Sequence, residues 1–315
     1  MLQNSPFRRS MKSQILRVVT NPRKSRSDPT LAVVLLALAS LAAGKMQTRH
    51  VFVHVLDQRG DPVMGLAASD FQLTEGGVPR VVTRAEPASD PMRIALFLDT
   101  SDAASPGLTH MRNAAVAFLD ALPPEDEVLI VTTGRQARVR VQPTTDRRKL
   151  KETAGGLFTD GAGTVLMDGL LEIDDRFFKK AEDRWPVFVI FTSDGTESSA
   201  GAHEKEFNKW AVGLGARGFT VHAFVLKANK GGGTPDVIAT TLTQNTGGRY
   251  DMMNTTNALP DKMKTLAQQL ALDHRRMTAW YAVDFQTDAT EFKPIDVGVA
   301  RSGVRLEVSD RRRIQ

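Results

Sequence analysis

Four almost continuous apolar runs divide the middle of the chain into regular segments. They occupy residues 94–98 (IALFL), 128–131 (VLIV), 187–191 (VFVIF) and 221–226 (VHAFVL). Continuous runs indicate strands buried on both faces, as in a parallel sheet covered by helices. Between the runs, apolar residues recur at helical spacing, as in residues 108–122 and 166–177. This alternation predicts an α/β fold with a doubly wound, Rossmann-like, mostly parallel sheet and right-handed crossovers.

A different pattern flanks this central part on both sides. Short alternating runs precede it at 51–56, 71–75 and 78–82, and others follow it at 281–285, 295–299 and 304–308. Alternation indicates antiparallel strands with one solvated face, and the simplest arrangement pairs the two sets in one small β module. Residues 85–91, which include two prolines, resemble a linker. Residues 137–141 follow 128–132 across Gly134 and predict an antiparallel hairpin at the edge of the main sheet.

These patterns divide the chain into four parts. We predict a leader at 1–45, an N-terminal β segment at 46–90, the α/β domain at 91–272 and a C-terminal β segment at 273–315. Within the α/β domain, the acidic residues Glu172, Asp174 and Asp175 are expected on a solvated helix face.

The leader carries the positive charge of the chain. Residues 1–29 hold seven basic residues and one acid, whereas residues 30–315 hold 34 basic and 35 acidic residues. The apolar run 31–43 and a group of small residues follow, an order typical of a secretory signal that is cleaved near 42–44. A short uncleaved anchor and a buried core helix are the alternatives. We therefore predict an extracytoplasmic protein that touches a membrane only through an uncleaved leader, and we expect no nucleic-acid partner.

Enzyme motifs are weak or absent. The chain has no cysteine, which excludes thiol catalysis, disulfides and Cys-ligated zinc. Residues 213–218 (GLGARG) match a dinucleotide pattern, but they follow a helix and precede a strand, the reverse of the order that phosphate binding needs. No Gly-x-Ser-x-Gly nucleophile elbow occurs. We therefore predict that the protein is not an enzyme.

Acidic residues follow two of the predicted parallel strands. Asp99 comes directly after residues 94–98, and Asp194 comes shortly after 187–191. Ligands of open parallel sheets bind beyond the carboxyl ends of the strands, and a carboxylate there is costly unless it is hydrogen-bonded or neutralised. Ser101 lies beside Asp99, and Thr164 lies in the glycine-rich segment 161–164. Two converging acids with hydroxyls nearby favour a divalent cation site, although capping of neighbouring helices or turns would also explain the acids.

The ordered set Asp99-x-Ser101, Thr164 and Asp194-Gly195 resembles the metal-ion-dependent adhesion site (MIDAS) of von Willebrand factor type A (VWA) domains. The resemblance extends over about residues 51–308. The flanking strands are similar to those of a bacterial family of secreted VWFA-related proteins, in which a segment like 63–75 precedes the domain. The resemblance to the MIDAS implies that Ser101 and Thr164 bind Mg²⁺, Mn²⁺ or Ca²⁺ directly, and that Asp99 and Asp194 act through water. One open coordination position would take an acidic side chain of a partner protein.

The sequence departs from this motif at Ala103, which stands where the family has a second ligand serine. Water could replace the lost hydroxyl, or Asp102 or Ser105 could substitute for it. Loss of a ligand weakens metal binding, so two functions stay open. The chain is either an exported VWA protein that binds another protein through a cation, or a metal-independent scaffold of the same fold.

Overall fold

The computed structural model describes residues 46–310 except 182, 229–232 and 292. The predicted leader at 1–45 and the last five residues lie outside the described residues. Over the part of the chain that is described, no helix has both the length and the apolar character needed to cross a membrane. The described residues form one compact unit.

Strands and helices follow one another in three stretches of the chain. The first stretch has four strands, β1 (Gln47–Leu56), β2 (Phe71–Glu75), β3 (Val78–Arg80) and β4 (Val82–Pro87), with a short 3-10 helix (Ala68–Asp70) before β2. The second alternates strands with helices: β5 (Met92–Leu98), α1 (Leu108–Ala121), β6 (Glu127–Thr133), β7 (Ala137–Thr144), α2 (Arg147–Gly155), α3 (Leu166–Phe177), β8 (Trp185–Ser193), α4 (Ala200–Gly213), β9 (Thr220–Leu226), α5 (Thr234–Thr246), β10 (Tyr250–Met253) and α6 (Leu259–Met277). The third is β11 (Tyr281–Thr287), β12 (Ile295–Val299) and β13 (Arg305–Ser309).

The central sheet has six strands in the order β10-β9-β8-β5-β6-β7. Its pairs are parallel except for β6 with β7, which are antiparallel at one edge. The side chains of β5 alternate between two cores: Leu96 packs in a core with residues of α1 and α6, and Phe97 packs in another with residues of α3, α4 and α5. Helices thus cover both faces of a mostly parallel sheet, which confirms the predicted α/β fold and edge hairpin.

The N- and C-terminal strands pair with each other, as predicted, but they form two sheets. One has the order β13-β1-β11-β4 and the other the order β12-β2-β3. A shared core that includes Val53, Phe71 and Tyr281 joins them. The predicted linker at 85–91 is partly wrong, because residues 85–87 belong to β4 and pair with β11. Since β4 is an edge strand, Pro87 removes no hydrogen bond from the interior of the sheet.

The expected solvated acidic face of α3 is also partly wrong. Asp174 is buried, and its carboxylate accepts hydrogen bonds of 2.6 and 2.8 Å from the Arg217 guanidinium. The indole nitrogen of Trp210 donates to the same carboxylate at 2.7 Å. Arg217 is 43 residues away along the chain, so no local pattern could show that Asp174 is neutralised. Glu172 and Asp175 are exposed and form ion pairs within their own helix region.

Candidate functional site

The two predicted acids lie at the carboxyl ends of neighbouring strands. β5 and β8 are parallel, with Leu98 opposite Phe191, and Asp99 continues this pairing by donating its amide to the Phe191 carbonyl at 3.0 Å. Its Oδ2 then accepts 3.0 Å hydrogen bonds from the amide and hydroxyl of Ser193. Because Asp194 follows Ser193 directly, the structure brings both acids to the same edge of the sheet.

Asp99 is fully buried and hydrogen-bonded on both oxygens. Its Oδ1 accepts from the Ser101 amide at 2.8 Å, and its Oδ2 accepts from the Thr192 hydroxyl at 3.2 Å as well as from Ser193. Burial raises the pKa of Asp99, while hydrogen bonds from Ser101 and Ser193 oppose this rise. A carboxyl group in this state gains most from a nearby positive charge, which would stabilise the ionised form.

Ser101 is the one candidate ligand with an unsatisfied hydroxyl. The residue is 1 % exposed. Its side chain is near enough to lower the pKa of Asp99, but Oγ makes no hydrogen bond of normal geometry with any described residue. A buried hydroxyl without a partner costs about 1–3 kcal/mol. Its oxygen is therefore available to a ligand at the carboxyl edge of the sheet.

Thr164 is held by the two loops that surround it. Its hydroxyl donates to the carbonyl of Thr133 at the end of β6, and its amide donates to the carbonyl of Thr196 at 2.9 Å. The Thr196 contact ties the 161–164 segment to the loop that follows Asp194. Because the hydrogen of the Thr164 hydroxyl is engaged by Thr133, the oxygen keeps its lone pairs for a cation.

Asp194 is buried and anchored to the end of β9. Its amide donates to the carbonyl of Leu226 at 3.0 Å, and its Oδ1 accepts the amide of Ala228 at 2.6 Å. Gly233, at the start of α5, approaches so closely that an added Cβ would lie 2.3 Å from the Asp194 carbonyl oxygen. A side chain at position 233 would therefore displace the Asp194 loop.

Ala103 lies beside the Asp194–Gly195 turn. A Cβ added at Gly195 would be 2.5 Å from the Ala103 Cβ, so the missing serine position adjoins the strand end that carries Asp194. Asp102 is otherwise engaged, since its Oδ2 accepts the amide of Ala162 at 3.1 Å. Ser105 is exposed. Neither residue thus replaces the lost hydroxyl in this structure.

Two half-buried acids, Asp160 and Glu197, hold these loops by hydrogen bonds, and the sequence analysis did not identify them. Asp160 accepts hydrogen bonds from the Thr100 hydroxyl at 2.9 Å and the Arg135 amide at 3.3 Å. Glu197 accepts the Leu166 amide at 2.9 Å and also binds Ser199, and burial raises its pKa. Glu197 thereby satisfies the N-terminus of α3. Both acids lie in irregular loops, where no periodic pattern of the sequence marks them.

The chemistry of this cluster suits a hard divalent cation. The four candidate ligands, Asp99, Ser101, Thr164 and Asp194, offer oxygen atoms alone, which Mg²⁺ and Ca²⁺ prefer. The buried, unsatisfied Ser101 hydroxyl is the observation that a cation would explain. No group of three or more His, Cys, Asp or Glu side chains suited to a metal occurs among the described residues, so any site here depends on hydroxyl oxygens.

One comparison with known proteins gives a family match. Residues 94–197 match the family model of the von Willebrand factor type A domain, which confirms the resemblance to VWA domains over this part of the chain. VWA domains are protein-interaction folds. A comparison with curated proteins finds no match.

Several solved structures match this chain at low sequence identity, with TM-scores below 0.5. A von Willebrand factor type A protein from Catenulispora acidiphila is 15% identical over 71% of this chain and 50% of its own, with a TM-score of 0.48. BatB from Bacteroides thetaiotaomicron is 14% identical over 59% of this chain and 98% of its own, with a TM-score of 0.45. Proximal thread matrix protein 1 from the mussel byssus, with a zinc-occupied MIDAS motif, is 16% identical over 57% of this chain and 48% of its own, with a TM-score of 0.45. The chain thus spans about half the length of the first and third of these proteins.

Proposed function

Because residues 94–197 match the VWA domain, we propose that this chain is an exported VWA-domain protein that binds another protein through a divalent cation. Ser101 and Thr164 would hold the cation directly, and Asp99 and Asp194 would hold it through water. The cation would be Mg²⁺, with Mn²⁺ or Ca²⁺ as substitutes. A bound cation supplies positive charge at the sheet edge, to which a carboxylate of the partner can bind.

The buried Ser101 hydroxyl carries this proposal. It lies beside a fully buried carboxyl group whose pKa is raised by burial, and it makes no hydrogen bond of normal geometry with a described residue, although it is near enough to lower that pKa. Thr164 supports the same proposal, because its hydroxyl donates to Thr133 and keeps its lone pairs free. A cation would satisfy the first oxygen and neutralise the acid at the same time.

Ala103 makes this site weaker than one with both serines. Restoring the hydroxyl in Ala103→Ser should strengthen Mg²⁺ or Mn²⁺ binding by about tenfold or more, since supporting groups of metal sites contribute about ten- to a hundredfold. The matched control is Ser105→Ala, an exposed hydroxyl on the same short helical turn, which should leave the affinity unchanged.

The direct test is titration of the protein with Mg²⁺ and Mn²⁺ by calorimetry. We expect a saturable signal that Asp194→Ala abolishes and Asp261→Ala, an exposed acid in the first turn of α6, preserves. No heat and no thermal shift at millimolar metal would refute the metal part of the proposal. Partner capture with and without EDTA then tests the adhesion part, and cell fractionation tests export.

The second candidate is a metal-independent scaffold of the same fold. Ala103 favours it, and so do the hydrogen bonds of Asp99, which already satisfy both carboxylate oxygens. In that case Asp194→Ala would leave partner capture unchanged. We propose a binding role in either case, and a screen with ester, phosphate and glycoside substrates tests whether any hydrolysis occurs.

A further inference from the structure

A basic strip lies along β7, the outermost antiparallel strand of the central sheet, and leads to the candidate site. We define the strip as Arg135, Arg138 and Arg140, which are exposed. Residues 135–152 contain seven basic and two acidic residues, whereas residues 30–315 as a whole are nearly neutral. The positive charge of the folded part is therefore concentrated on β7, the turn before it and α2 after it.

The three arginines of the strip have no carboxylate partner among the described residues. Arg138 donates to the amide oxygen of Gln136 at 3.2 Å, and the guanidinium of Arg140 lies 5.8 Å from the ring centre of Phe158. Elsewhere on the described surface many arginines are ion-paired, as Arg93 is with Glu127 at 2.7 Å. The strip thus carries positive charge that no carboxylate of the described residues neutralises.

The strip is continuous with the loops of the candidate site. The amide of Arg135 donates to Asp160, which also binds the hydroxyl of Thr100, the residue after Asp99. Phe158 is 59% exposed on the same loop as Asp160 and brings an aromatic ring next to Arg140. A segment of a partner protein that binds at the carboxyl ends of the strands, near Asp99, can therefore continue along β7.

The backbone of β7 does not favour simple strand addition. Val131 pairs with Val139 and Ile130 with Val141, so Arg140 is an extra residue without an opposite in β6. Such a bulge twists an edge strand and hinders pairing with another chain. Recognition along this edge would accordingly use the arginine side chains.

We propose that the basic strip binds an acidic segment of the partner protein, whose Asp or Glu side chains pair with Arg135, Arg138 and Arg140. This inference deepens the proposed function, since it names the chemistry of the partner, but the strip includes none of the four candidate metal ligands. Charge complementarity favours an acidic polypeptide, which has both carboxylates and flexible side chains to follow the twisted edge.

The test uses a fluorescent peptide of alternating glutamate and serine, with fluorescence anisotropy measured at low salt in EDTA. We expect salt-sensitive binding that weakens by about tenfold or more in the double variant Arg138→Glu/Arg140→Glu, because two attractive pairs become repulsive. The control Arg59→Glu/Arg301→Glu makes the same change in net charge at exposed positions of the β module. It should weaken binding by about twofold at most. Unfolding curves of both variants show whether the fold is preserved.

A different explanation is that the arginines only protect an edge strand from aggregation. Glutamates protect an edge equally well, so in that case the reversed variant would bind the peptide as the control does, and the proposal would be wrong. Stronger binding of single-stranded DNA or of phosphatidylserine vesicles than of the peptide would also overturn it. If charge reversal weakens peptide binding and Mg²⁺ does not change it, the result supports binding by the basic strip and refutes binding through the cation.

If Mg²⁺ strengthens peptide binding and charge reversal does not change it, the result supports binding through the cation and refutes binding by the basic strip.

Discussion

Replacing Ser101 by alanine should have opposite effects on stability and on metal binding. The hydroxyl is buried and lacks a partner of normal geometry among the described residues, so its removal takes away a buried polar group that gains little in the metal-free protein. We expect the free energy of unfolding in EDTA to stay the same or to rise by about 1 kcal/mol. Most Ser→Ala changes at buried, hydrogen-bonded sites lower it.

Ser193 provides a matched comparison. It is as buried as Ser101, but its hydroxyl donates to Asp99 at 3.0 Å. Since hydrogen bonds to charged groups contribute about 1.5–3 kcal/mol, Ser193→Ala should lower the free energy of unfolding by that amount in EDTA. The two variants remove the same atoms near the same carboxylate, and only their hydrogen bonding differs.

Adding metal should reverse the order of wild type and Ser101→Ala. At a metal concentration a hundred times the dissociation constant, wild type gains about 2.7 kcal/mol. If the variant binds ten- to a hundredfold more weakly, it gains only about 0.4–1.4 kcal/mol. The assay is urea unfolding followed by tryptophan fluorescence, for which the buried Trp185 is a suitable reporter. If Ser101→Ala destabilised the metal-free protein as much as Ser193→Ala does, its hydroxyl would already be satisfied and the case for a cation would fail.

Three further changes test parts of the fold outside the four candidate ligands. Burial raises the pKa of Asp126 to about 6, so ionisation of this group lowers the free energy of unfolding as pH rises from about 4 to 6. Asp126→Asn lacks this loss, and its free energy of unfolding should rise relative to that of wild type by up to about 3 kcal/mol between pH 4 and pH 7, measured by denaturant unfolding. In Gly134→Ala the new Cβ would lie 1.7 Å from Asp160 Oδ1, which should cost about 1–3 kcal/mol in thermal unfolding, whereas Gly155→Ala, with nothing within 4 Å, should be neutral or stabilising. Glu75→Gln leaves Arg49 without a charge partner and Arg80 with Asp288 alone, and should cost about 3 kcal/mol in urea unfolding; an unchanged midpoint would show that the pairs with Glu75 contribute nothing.

The sequence predicts the central sheet well because burial on both faces leaves a direct trace in the chain. Each of the four apolar runs is a parallel strand, and the alternating run after Gly134 is the antiparallel edge. Elements that are short or bury few apolar side chains leave no such trace. Helix α2 buries only Leu150 and Ala154, β10 has four residues, and three of the six residues that α5 buries are a proline and two threonines. Their formation depends on tertiary packing more than on local preference.

The candidate site divides in the same way. Asp99 and Asp194 were predictable, because a strand end in a parallel sheet fixes where the next residue lies. The roles of Asp160 and Glu197 were not, since each depends on a meeting of loops that are distant in sequence. The basic strip was present in the sequence as a local excess of arginine and lysine. Its position relative to the candidate site becomes visible only when β7 is placed at the lateral edge of the sheet beside the Asp160 loop.

The hydrogen bonds of the site loops explain how the site can exist before any cation binds. Asp99 is tied to Ser193, Thr164 to Thr133 and Thr196, and Asp194 to Ala228, all by protein atoms. These bonds fix the loops without help from a metal, so removing a metal should not unfold the domain. Ser101 differs, because its buried hydroxyl makes no hydrogen bond of normal geometry with a described residue. A cation that binds at this hydroxyl would therefore gain its free energy without reordering the loops around it.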